Sequence, residues 1–153
     1  MARSFAAAGA RVSLAARSAD ELATVAAETR GTVFAVDLLD PAQVDALIGR
    51  VEAEAGPIDV LVNNAGSEST RMLQQEDITD IRNVARLNLE VPMVLTRAAL
   101  PGMLARGKGH FVYTSSLAGT AGFPGMTIYS GTKAGSPTSL EPCDSNSVTQ
   151  RST

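Results

Sequence analysis

Tyr129 and Lys133 stand four residues apart in the stretch "IYSGTKAG". On a helix that spacing puts both side chains on one face, one turn from each other. A nearby ammonium favours the phenolate and draws a tyrosine pKa down from its usual value of about 10. A tyrosine tuned in this way can give or take a proton near neutral pH. Alone, such a pair reads more often as a surface tyrosine beside a solvated lysine. Here it has company. Ser116 lies thirteen residues before Tyr129, at the carboxyl end of the apolar run "HFVYTS". "NNAG" at 63–66 closes another apolar run, "IDVLV", and Asn88 sits in "RLNLEVP".

These groups need elements to position them. Ala2–Ala8 reads as the end of a helix stopped by Gly9. "RVSLAAR" and "TVFAV" are short apolar runs fit for buried strands, as are "IDVLV" and "HFVYTS". Ser18 and Glu21 have capping-box spacing, so a helix is expected from about Ala19 to Arg30, with Gly31 as its stop. Asp40 and Pro41 make an N-cap and a first-turn proline. Val44, Leu47, Ile48 and Val51 then recur with helical period up to Gly56-Pro57. A long helix is expected over about Thr79–Arg106, bent or broken at Pro92 and Pro101, and another from about Tyr129. Alternating apolar strands and helices predict an α/β fold, a Rossmann-like doubly wound parallel sheet. Ligands of such sheets bind beyond the carboxyl ends of the strands. Ser116, Tyr129 and "NNAG" therefore point to one rim.

Composition narrows the classes of function. The 153 residues suit one domain, with 44% apolar and 19% charged residues. A net charge of −3 and scattered basic residues argue against a nucleic-acid surface. No run approaches the ~18 apolar residues of a membrane span, and the alanine-rich start is too weakly apolar for a secretory signal. The single Cys143 excludes an internal disulfide and a multi-cysteine metal site. The single His110 argues against a zinc or Ser–His–Asp centre, so no metal is expected. The expected compartment is the cytoplasm.

In their order and intervals, "NNAG", the Asn of "LNLE", "VYTSSLAG" and "YSGTK" resemble the short-chain dehydrogenases/reductases, over about Met1–Gly135. "NNAG" favours the ordinary over the extended subfamily. The resemblance implies hydride exchange between a nicotinamide cofactor and a small carbonyl/alcohol substrate. It makes Tyr129 the general acid/base and Lys133 its partner, which also holds the nicotinamide ribose. Ser116 would polarise the substrate carbonyl or hydroxyl, and Asn88 would help hold a water in the proton relay. Ser115 is the alternative serine, but the thirteen-residue interval selects Ser116. Asn63, Ala65 and Gly66 would lie along the cofactor, although "NNAG" also reads as a simple turn. Asp37 and Leu38 resemble residues that meet the adenine; their plain reading is a strand-ending turn. Arg17 ends "VSLAAR", while Ala16 occupies the place of an acidic 2′-hydroxyl ligand. A guanidinium there suits the 2′-phosphate of NADP, with NAD as the alternative.

The family's Gly-rich phosphate loop, T-G-x-x-x-G-x-G, and its first strand would precede "MARSF", and its last strands would follow Gly135. An incomplete dinucleotide-binding domain over 1–135, truncated at both ends, is therefore expected. From Ser136 the composition turns to "SPTSLEPCDSNSVTQRST", without apolar period. It reads as a disordered tail or as a frameshift product. With one base restored near the Gly135–Ser136 codons it can read LAHFTGALRLELRDATVD, apolar at positions 136, 139, 143 and 147, with helical spacing. Two readings compete with an active enzyme. One is an inactive fragment acting as a pairing module, for instance a homo-oligomer through the helix around Asn88. The other is an unrelated Rossmann-like binding module.

Overall fold

The computed structural model describes residues 1–135; the tail from Ser136, with its disordered or frameshifted reading, lies outside the described residues. Helices and strands alternate as α1 (Ala2–Ala7), β1 (Ser13–Ala16), α2 (Ala19–Thr29), β2 (Thr32–Ala35) and α3 (Pro41–Ala55). Then follow β3 (Val60–Asn63), α4 (Ile78–Ala85), α5 (Val91–Arg106), β4 (His110–Tyr113) and α6 (Thr127–Ala134). The chain divides into two compact units, Met1–Pro57 and the residues from Ile58 onward. Both are built of parallel strands joined by helices, the partial Rossmann-like α/β arrangement expected.

In the first unit β1 pairs with β2 in parallel, from Ser13 opposite Thr32 to Ala16 opposite Ala35. Phe34, Val36 and Leu38 are buried, as are Val44, Leu47, Ile48 and Val51 on one face of α3, and the Arg50 guanidinium of α3 lies 5.8 Å from the centroid of the Phe34 ring. Burying side chains of this size contributes about 1.5–3 kcal/mol each. Ser18 caps α2 by accepting from the Glu21 amide at 3.3 Å, and Asp40 caps α3 by accepting from the Ala42 amide at 2.9 Å. Arg3 and Glu28 form an exposed ion pair between α1 and α2. The expected glycine stop of α2 lies one residue early: Arg30 itself takes the left-handed conformation, φ 54°. Gly31 serves close approach instead. A Cβ there would stand 2.8 Å from the Val12 carbonyl and 2.9 Å from Thr29 Oγ1.

In the second unit β3 pairs with β4 in parallel, from Val60 opposite His110 to Asn63 opposite Tyr113. The strand is thus shifted from "IDVLV" to include the first asparagine of "NNAG". Phe111 is fully buried, and Leu95, Ala99 and Met103 turn the inner face of α5 into the core. The expected long helix is continuous from Ile78 to Arg106, but its irregularity lies at neither proline. Pro92 stands in the first turn of α5 and Pro101 inside it. Between α4 and α5 the residues Arg86–Glu90 form a π turn, closed by the Val91 amide on the Arg86 carbonyl. Pro92 has no N–H to give the Asn88 carbonyl, which removes one i to i−4 bond at this place.

Candidate active site

Four elements of the second unit gather the candidate catalytic residues: the ends of β3 and β4, the π turn, and α6. Tyr129 lies in the first turn of α6 and is half-buried; Lys133 follows one turn on and is buried. The Lys133 ammonium donates to the Thr114 carbonyl at 2.7 Å, just past β4. Its Nζ also stands 5.7 Å from the centroid of the Tyr129 ring. The four-residue spacing has therefore placed both side chains on one face. Burial lowers the Lys133 pKa from its usual value, because an ammonium loses water of solvation there.

Ser116 sits where β4 opens into the following 3₁₀ turn, Leu117–Gly119, and its Oγ accepts from the Ala118 amide at 3.2 Å. That bond uses an acceptor site and leaves the hydroxyl proton to donate. The turn is pressed against α6. A Cβ on Gly119 would lie 2.8 Å from the Lys133 carbonyl carbon and 2.9 Å from its oxygen. Only a glycine lets the segment after Ser116 approach the backbone of Lys133.

Asn88 is 3% exposed and uses its carboxamide on protein groups. Its Oδ1 accepts from the Ser67 amide at 2.9 Å. Its Nδ2 donates to the Ser67 carbonyl at 2.8 Å and to Thr132 Oγ1 at 3.1 Å. The side chain thus fixes the segment after "NNAG" against α6.

The "NNAG" residues are tied from several sides. Asn63 Nδ2 donates to Thr96 Oγ1 at 3.3 Å, and that hydroxyl is 2.6 Å from the Tyr113 hydroxyl. Burial raises the pKa of Tyr113. Thr114 Oγ1 donates to Asn64 Oδ1 at 2.9 Å. Ala65 and Gly66 are exposed. A Cβ on Gly66 would meet Asn88 Oδ1 at 3.0 Å and Lys133 Nζ at 3.8 Å. Glycine at 66 is thus required by the close approach of the Asn88 carboxamide, with the Lys133 ammonium just beyond.

The remaining candidates, Arg17, Asp37 and Leu38, belong to the first unit. Arg17 is exposed at the carboxyl end of β1, and the Val36 amide donates to the Ala16 carbonyl at 2.9 Å. Arg17 and Asp37 therefore leave adjacent strand ends. Leu38 is buried. Thr96, Tyr113, Thr114, Ser67, Thr132 and Gly119 escaped the reading of the sequence. Each acts through a partner distant along the chain, so no local spacing marks it. Among the described residues no cluster of His, Cys, Asp or Glu could hold a metal ion, and no helix is long and apolar enough to cross a membrane.

Residues 1–139 match the family described as short chain dehydrogenase. A ketoacyl reductase of Nostoc sp. is 37% identical over 74% of this chain and 39% of its own length. A short-chain dehydrogenase from Streptomyces avermitilis superposes with a TM-score of 0.80 at 36% identity, over 88% of this chain and 51% of that one. A metagenomic short-chain oxidoreductase solved in complex with NADP gives a TM-score of 0.82 at 34% identity, over 88% of this chain and 63% of that one. The chain thus spans about half, or less, of the length of its first curated relatives.

Proposed function

The chain belongs to the short-chain dehydrogenase family, and from that premise we propose an oxidoreductase that interconverts a carbonyl and an alcohol with NADP. The observation that carries the proposal is the placement of Lys133. Its ammonium is buried, one turn from Tyr129, and bonded at 2.7 Å to the Thr114 carbonyl, two residues before Ser116. On this reading, acid/base side chain, cation and polarising hydroxyl would serve one substrate oxygen from one helix and one strand end.

The nicotinamide cofactor supplies or accepts the hydride. Every proton step belongs to this chain. In the reducing direction the Ser116 hydroxyl donates a hydrogen bond to the substrate carbonyl, and Tyr129 O–H delivers the proton to the same oxygen. Lys133 stabilises the negative charge left on the tyrosine oxygen. Lys133, with Asn63, Ala65 and Gly66, would lie along the nicotinamide ribose. Asp37 and Leu38 would meet the adenine. Arg17 would hold a 2′-phosphate, which favours NADP over NAD; the NADP bound to the metagenomic oxidoreductase supports the same choice. Self-association through the helix around Asn88 belongs to this reading, supported by exposed Met93 and Leu104 on α5.

The test follows NADPH oxidation by the full chain with a ketoacyl substrate, chosen from the name of the Nostoc relative. Turnover is expected, with Tyr129→Phe slowing it by about 10²-fold or more. Absence of both turnover and NADPH binding at millimolar cofactor would overturn the proposal.

A further inference from the structure

The turn after β2 is held more firmly than its length requires. The Asp37 amide donates to Gln43 Oε1 at 2.9 Å, and Gln43 Nε2 donates to Asp40 Oδ2 at 2.8 Å. Asp40 meanwhile caps α3 through the Ala42 amide. The Leu39 amide donates to Asp37 Oδ1 at 2.9 Å. One carboxamide in the first turn of α3 thereby joins a strand end to a helix cap. Its orientation is fixed, because one neighbour is a donor and the other a carboxylate.

What this clamp leaves over is a specific pair. Among the described residues neither the Leu38 amide nor Asp37 Oδ2 has a hydrogen-bond partner. The Leu38 side chain is anchored in the core. A donor and an acceptor on consecutive residues suit a ring edge bearing an acceptor beside a donor. Adenine has that edge, with N1 and the 6-amino group; hypoxanthine presents the reverse.

We propose that Gln43 is a positioning residue for the adenine end of the cofactor: it occupies the Asp37 amide and holds the turn so that the Leu38 amide and Asp37 carboxylate face the base. It touches no ligand itself. The inference rests on the dinucleotide-binding reading above, but its test is separate from turnover.

The full chain is titrated calorimetrically with adenosine 2′,5′-bisphosphate and with inosine 2′,5′-bisphosphate. A preference of roughly tenfold for adenosine is expected, the scale of one well-aligned hydrogen bond. Gln43→Met should bring the two affinities within about twofold of each other. Gln43→Glu sets a second carboxylate against Asp40 and should lose preference too, which serves if the methionine variant does not fold. Combining Gln43→Glu with Asp40→Asn reverses the polarity of the pair and keeps both hydrogen bonds, so the preference should return. A merely structural role would lower stability without changing the choice of base. The inference is overturned if the unaltered chain shows no base preference or no saturable binding. It is overturned equally if Gln43→Met and Gln43→Glu keep the preference, or if the double variant does not restore it. Base preference without NADPH turnover would remove the catalytic reading and leave Gln43 in its role; turnover without base preference would do the opposite.

Discussion

Asn88 joins three places with one carboxamide: both backbone groups of Ser67 and the hydroxyl of Thr132. The burial of that side chain makes it consequential. A buried polar group that loses its partner costs about 1–3 kcal/mol. Asn88→Leu strands the Ser67 amide and carbonyl together, so a loss of roughly 2–6 kcal/mol is expected from two such groups. Urea unfolding followed by circular dichroism measures it, and an unchanged midpoint would contradict the clamp. The resemblance drew Asn88 from the sequence as a water holder. The three bonds show why its side chain has little capacity left for water. Tyr129 and Lys133 were fully legible, because their relation depends only on helical spacing, and α6 forms where that spacing needs it. Thr114 was not: its contribution is a carbonyl, and every residue has one.

Elements show a similar division. Caps announce themselves locally, and Ser18 and Asp40 both accept from the first-turn amides expected of them. The glycine of the 3₁₀ turn after Ser116 does not announce itself. Gly119 has no left-handed backbone to explain it, and only the closeness of α6 does. Adding a methyl group there requires the Ser116 segment or α6 to move. Gly119→Ala is therefore expected to cost about 1–3 kcal/mol, as overpacking does. It should also lower turnover more than it lowers cofactor affinity, because on the proposed reading Ser116 and Tyr129 serve the proton step alone, while Lys133 is one of several groups on the cofactor. Comparing the two by initial rates and calorimetry checks this; equal losses in both would count against the placement. The prolines mislead in the other direction. Pro101 is accommodated within α5, while Pro92 stands just past a π turn. A proline marks a missing donor, but how the helix absorbs it depends on what the surrounding side chains hold in place.

Across the whole chain, each compact unit is built on a pair of strands, β1 with β2 and β3 with β4. Within the described residues each strand has a strand neighbour on one side only. Val33 and Val60 are each 37% exposed. Small sheets draw their stability from helices packed on them, and two strands alone are marginal. Unfolding free energy near or below the lower end of the usual range, about 5 kcal/mol, is expected for the full chain in urea. A much larger value would mean that the paired strands are supported by more than their own helices.

Sequence alone determined the parallel α/β class, the helix caps, the Tyr129–Lys133 face and the family, because each depends on residue type and short spacing. Only the tertiary structure decided what the glycines and polar side chains are for. Gly66 and Gly119 are needed for what lies across from them, at Asn88 and at the Lys133 backbone. Asn63 meets Thr96 and Tyr113 because β3 and β4 pair in one particular register. Gln43 lies between the two: its three-residue spacing from Asp40 could be read along the helix, but its bond to the Asp37 amide needed the turn to close. Contacts that cross from one element to another depend on how the backbone comes together, and no local pattern of residues encodes that distance.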